Sequence, residues 1–140
     1  MIQRFKLPLF GLVLGALSGF AQGREISFNR EIRPILSENC YACHGPDAAG
    51  RKADLRLDVE EAAIVSVENP DGSIVRGKPE ESELVARIFS TDPDDVMPPP
   101  DSHKKLTSEQ RQLLEKWIAD GAAWEDHWAF LRPQKPDLPQ

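Results

Sequence analysis

Cys40-Tyr41-Ala42-Cys43-His44 gathers both cysteines of this 140-residue chain and one of its three histidines into five consecutive positions. Two thiols and an imidazole so close together make a disulfide, part of a metal site or a haem tether. Residues three apart on a helical turn share a face. From that face each sulfur can add to one vinyl group along a single porphyrin edge. His44, one residue on, then turns beneath the ring and offers a nitrogen to iron. CxxCH is the attachment signature of c-type haem. The rivals fit the spacing less well. Structural zinc takes four Cys or His ligands, yet the remaining histidines, His103 and His127, stand 24 residues apart with no short pairing. A redox CxxC prefers a strand–helix unit, whereas this one follows a helical pattern. A plain disulfide leaves His44 without a role.

The motif serves only one face of an iron. An electron carrier fills both axial positions, and Met/His ligation raises the potential. Beyond residue 23 the chain has a single methionine, Met97, in the stretch DDVMPPP. Methionine in a core is ordinarily a gap-filler on a helix face, but Pro98, Pro99 and Pro100 bar Met97 from a helix interior. A proline-stiffened backbone would hold a soft thioether at a fixed distance, where a loose loop would let water compete. Met97 is therefore the expected distal ligand, with His103 and an open distal site as the alternatives. His127, between Trp124 and Trp128, reads as a packed or solvated tail residue. Trp117 reads as core.

Three helices joined by long loops must position these groups. In SFNREIRPILSENC, Phe28, Ile32, Ile35 and Leu36 form an apolar stripe. Ser27 can cap it, although Arg30 rather than Glu occupies the capping-box position. Pro34 predicts a late start or a kink. In KPEESELVARIFS, Pro79 suits a first turn and Glu80, Glu81 and Glu83 suit the positive end of the helix dipole. Its stripe is Leu84, Val85, Ile88 and Phe89. In LTSEQRQLLEKWIADG, Thr107 and Gln110 form a capping box, Leu113, Leu114, Trp117 and Ile118 form the apolar face, and Gly121 is the stop. Between the first two helices Leu55 and Leu57 alternate with Asp54, Arg56 and Asp58. NPDG supplies a turn, with AIVSV and SIVRG placed as a short hairpin around it.

Composition bounds the rest. MIQRFK carries two bases and no acid, the next 15 residues are almost wholly apolar, and small residues stand at Gly19 and Ala21 near the end of that run and at Gly23 just after it. That order is a secretory signal peptide, and its apolar run is shorter than the roughly 20 residues of a membrane span. The expected organisation is a signal at 1–23, one domain at 24–130 and a Pro-rich tail or linker at 131–140. The location is periplasmic or secreted, with no stable membrane span after cleavage. Loss of Arg4 and Lys6 takes the net charge from −6 to −8. An acidic chain has no electrostatic footprint for nucleic acid and favours cationic protein partners.

The ordered set FNREIRPILSENCYACHGPD, RKADLRLD, GKPEESELVARI and DDVMPPPDSHKKLTSEQRQLLEKWIADGAAW resembles the planctomycete-type cytochrome c domain, a divergent member of the mono-haem cytochrome c superfamily. The resemblance covers residues 26 to about 130. It implies one haem c held covalently by Cys40 and Cys43, with His44 as proximal and Met97 as distal iron ligand. Domains of this kind often open a longer secreted protein, joined by a segment like HWAFLRPQKPDLP. Arg51, Lys52 and Arg56 follow the motif and could pair with haem propionates, a role in which Arg outperforms Lys; a solvated basic cluster beside Asp47, Asp54 and Asp58 is the alternative. The expected fold is all-α, a small mono-haem cytochrome c with about three main helices and haem-wrapping loops. The expected function is outer-sphere transfer of single electrons to a redox partner protein or a following domain, without substrate turnover. The alternatives are an electron-delivery module of a larger secreted enzyme and a haem sensor or peroxidase-like site with an open distal position.

Overall fold

The computed structural model describes residues 24–126. Residues 1–23, read as a signal peptide, together with His127 and the Pro-rich tail, lie outside these residues. The α-helices are α1 (Arg33–Asn39), α2 (Tyr41–His44), α3 (Glu60–Ala63), α4 (Glu83–Phe89) and α5 (Ser108–Ala119). Among the described residues there is no strand, so the chain is all-α as expected. Among the described residues no helix is long and apolar enough to cross a membrane.

The first helical stretch shows what Pro34 does. Phe28–Ile32 forms a widened π-type turn, in which the Arg33 N–H donates to the Phe28 carbonyl, five residues back. Directly after it, α1 begins with Pro34 in its first turn. In a regular helix the Pro34 ring would collide with the Arg30 carbonyl; the wider turn sits just where that collision would fall. Ser27 caps the turn, accepting from the Arg30 N–H at 3.4 Å, while Glu31 reaches back to accept from the Ser27 N–H at 3.1 Å. The reciprocal acid is thus Glu31, one residue beyond the usual capping-box position.

The second stretch is not one helix. Pro79–Glu81 is a 3-10 turn, the chain is extended at Ser82, and α4 starts at Glu83. Ser82 is buried; its hydroxyl donates to the Lys78 carbonyl at 2.9 Å and accepts from the Val75 N–H at 2.9 Å. This local satisfaction of backbone groups competes with helix continuation. Leu84, Val85 and Ile88 are buried as the stripe requires, but Phe89 is 40% exposed. It lies instead beneath the Arg111 guanidinium, 5.6 Å from the ring centroid.

Helix α5 matches its sequence signals. Both halves of the Thr107–Gln110 capping box form. Leu114, Trp117 and Ile118 are buried, and Gly121 ends the helix at φ +105°. Trp117 meets Phe28 at 5.6 Å, and Trp124 meets Phe28 at 4.3 Å. Thus α5 packs across the widened turn through aromatic side chains. The segment after α5 is tied to the same turn by Asn29, which donates to the Asp126 carbonyl at 2.8 Å, and by Arg33, which donates to the Glu125 carbonyl at 3.0 Å.

The hairpin does not form. Ile64 and Ile74 make an isolated parallel bridge, with Val65 N–H donating to the Ile74 carbonyl at 2.8 Å and Ile74 N–H to the Ala63 carbonyl at 3.0 Å. The side chain of Asn69 closes the intervening loop, its amide nitrogen lying within 3.2 Å of the Glu61, Ala62 and Ile64 carbonyls. Carbonyls that an antiparallel partner would have engaged are met by a side chain. Gly72 passes so close that a Cβ there would stand 2.5–2.6 Å from the Ile64 and Val65 backbone. Replacing Asn69 with Ala removes the amide while leaving the Ala62 and Ile64 carbonyls part-buried. The expected result is a loss of about 1–3 kcal/mol, read as a lower urea midpoint at unchanged m-value.

Candidate haem site

Helix α2 is one turn long and carries the motif. It follows α1 with only Cys40 between them. The His44 N–H donates to the Cys40 carbonyl at 2.8 Å. Downstream chain then binds the turn from outside: Lys52 N–H donates to the Cys43 carbonyl and Leu57 N–H to the His44 carbonyl, both at 2.8 Å. Gly45 ends it, in a position where a Cβ would collide with the Tyr41 carbonyl. The motif is therefore held between α1 and the 52–57 segment.

A cavity of about 340 Å³ opens beside it, within the range of small-molecule and cofactor sites. Cys40 and His44 line it, and so does Met97, brought from more than 50 residues away. Its apolar wall is built from Leu36 of α1, Leu84 and Ile88 of α4, and Leu114 of α5, together with Leu55 and Leu57. The alternation seen in the sequence explains the last two: both leucines face the cavity, and Arg56 between them does not line it. Asp71, Gly72, Ser73, Glu83 and Arg87 supply the more polar part of the lining.

His44 Nδ1 and Ser73 Oγ are shut off from solvent without a hydrogen-bond partner, although buried polar atoms are nearly always paired. Burial lowers the His44 pKa from its ordinary value, against an opposing contribution from the Lys52 backbone. This favours the neutral imidazole that a metal ligand must be. Burial pushes the Cys40 thiol up to about 12, with Lys104 opposing and Cys43 reinforcing the shift. Redox-active and zinc-binding cysteines need the opposite, a stabilised thiolate. Both cysteines are free thiols, and no cluster of three or more His, Cys, Asp or Glu side chains suited to a metal ion occurs among the described residues.

Residues 40–101 match the family described as planctomycete cytochrome C. That likeness supports the resemblance read from the sequence. No curated protein and no solved structure matches it. Cytochrome c domains bind haem c and act generally as electron carriers rather than enzymes. The cavity fits such a group: leucine walls for a porphyrin face, a thiol and an unpartnered imidazole nitrogen in the lining, and a thioether brought to the same space.

The remaining sequence candidates lie elsewhere. Cys43 is half-buried but does not line the cavity. Arg51 donates to the Gly45 carbonyl at 3.2 Å and pairs with Asp54 at 3.3 Å, which ties it to the C-terminal end of α2. Arg56 holds Asp58 through two hydrogen bonds, from Nε at 3.1 Å and from Nη2 at 2.5 Å. Neither arginine lines the cavity. Lys52 is exposed. His103, the sequence alternative to Met97, is exposed at φ +57° and is not in the lining. Sequence reasoning passed over Arg87 and Ser73. Arg87 was legible in principle, since it stands three residues after Leu84 and one before Ile88, beside the apolar stripe of α4.

Proposed function

We propose that this chain is an exported mono-haem c-type cytochrome that passes single electrons to a protein partner or a following domain. In this reading Cys40 and Cys43 hold one haem c through thioether bonds, His44 is the proximal iron ligand and Met97 the distal one. The observation that carries it is the meeting of Cys40, His44 and Met97 in the lining of one leucine-walled cavity. Haem c held there supplies an Fe(III)/Fe(II) couple.

The chain's own residues would do the rest. His44, neutral through burial, offers a nitrogen lone pair. Met97 offers a soft sulfur that favours the ferrous state and so raises the potential. The leucines would shield one side of the bound group from water, which would limit reorganisation when its charge changes. With Met97 in the cavity lining, a carrier is favoured over the sensor or peroxidase-like alternative, which needs an open distal position. Export rests on the sequence of residues 1–23, and a cationic partner on the acidic balance of the remainder.

The test is a pyridine haemochrome spectrum of the full chain, exported from a host equipped for haem attachment. The expected spectrum is that of haem with both vinyls saturated, at one haem per chain. Protein that carries no covalent haem would sink the assignment.

A further inference from the structure

The segment that brings Met97 to the cavity is short of apolar anchors. Residues 91–95 are all exposed, and a turn closes through Val96 N–H to the Asp92 carbonyl at 2.8 Å. One residue grips this segment at two points. The Arg87 carbonyl, in the last turn of α4, accepts the N–H of Met97 itself at 3.1 Å. The Arg87 guanidinium donates from Nη1 to Asp95 Oδ1 at 2.8 Å, two residues before Met97. Its Nε donates to Glu83 Oε1 at 2.7 Å, one helical turn back. Arg87 also lines the cavity, and among the described residues no other Arg or Lys side chain does.

We infer that Arg87 is the positioning residue for the distal ligand, a clamp that fixes the Met97 segment to α4. The deduction rests on the proposed haem-c reading, with Met97 on iron. Glu83 sets the angle of the guanidinium from behind, and Asp95 receives its free edge, so the planar fork spans helix and loop. Lysine, with one nitrogen, cannot span both carboxylates in this geometry. The pairs are partly exposed, at 38% for Arg87 against 60% for Glu83 and 58% for Asp95, so each contributes modestly. The effect falls on the stability of the distal bond rather than on the fold.

The experiment measures imidazole binding to the ferric holoprotein, full chain, for Arg87→Gln, Arg87→Lys, Asp95→Asn, Glu83→Gln and Met97→Ala. Imidazole must displace Met97, so its apparent affinity reports how firmly the methionine is held. Arg87→Gln and Asp95→Asn should each tighten imidazole by about two- to fivefold, the scale of one partly exposed ion pair. The double variant should do no more than either single one. Arg87→Lys should recover part of the loss, and Glu83→Gln should change affinity less than Asp95→Asn. Thermal midpoints should stay close to the parent. In a Met97→Ala background, Arg87→Gln should have no effect. Unchanged affinity in both Arg87→Gln and Asp95→Asn would overturn the clamp and leave the ligand assignment standing. An equal effect with and without Met97 would overturn it too, by showing that Arg87 governs access. If Met97→Ala itself leaves the spectrum and imidazole affinity untouched, the distal-ligand reading fails and the clamp fails with it.

Discussion

On the proposed haem-c reading, replacing Met97 with Ala should convert a low-spin iron centre into one with a displaced or water-filled distal position, and should lower the reduction potential. The thioether sulfur is a soft donor that stabilises Fe(II) over Fe(III). Axial ligation as a whole spans about 0.8 V in haem proteins, so a fall on the order of 0.1 V is expected from losing this donor. The fold should change little, because Met97 is half-buried at a loop rather than packed in the core. His103→Ala is the matched control. His103 is exposed and absent from the cavity lining, so its variant should keep the parent spectrum and potential. An opposite pattern, with His103 sensitive and Met97 silent, would reverse the assignment. The two measurements needed are a visible spectrum in each oxidation state and a redox titration.

The site was more legible than its supports. The CxxCH spacing is local, and local chemistry survives in sequence. So does the Leu55–Leu57 alternation, which puts both leucines on the cavity side. So do the capping box and stripe of α5, where propensity, capping and burial agree. Three features were not legible, each for a physical reason. The break at Ser82 depends on its hydroxyl finding the Val75 N–H and the Lys78 carbonyl. A single sequence does not reveal such a choice between helix continuation and a turn. The NPDG segment has every local mark of a hairpin, yet Asn69 saturates the carbonyls and Gly72 lets the backbones close to a parallel bridge. The basic residues near the motif, Arg51 and Arg56, find partners within a few positions of themselves. The cation that reaches the cavity, Arg87, comes from a helix about 40 residues away in the chain. The cavity is assembled by tertiary packing, so sequence neighbourhood does not reveal which arginine lines it.

That packing leads to the second large expectation, which concerns folding without the cofactor. The cavity lies among the same side chains that form the core: Leu36, Leu57, Leu84, Ile88 and Leu114 both line it and belong to the buried cluster. A group seated there would be a structural part of the domain. Left unfilled, such a leucine-lined cleft exposes apolar surface to water, which is costly for a domain stabilised by only about 5–15 kcal/mol. Cys40→Ala with Cys43→Ala removes covalent attachment through side chains that are only half-buried, so truncating the thiols contributes little by itself. The double variant should therefore lose most of its stability through failure to retain haem. The expected signs are a shallow thermal transition, a reduced urea m-value and weakened near-UV dichroism from the Phe28–Trp117–Trp124 cluster. Adding free haem should restore part of the transition by mass action, because it binds only the folded chain. A double variant that melts as sharply and as high as the parent would show that the leucine wall closes on itself. Covalent attachment would then serve only to retain the cofactor, with no part in holding the fold.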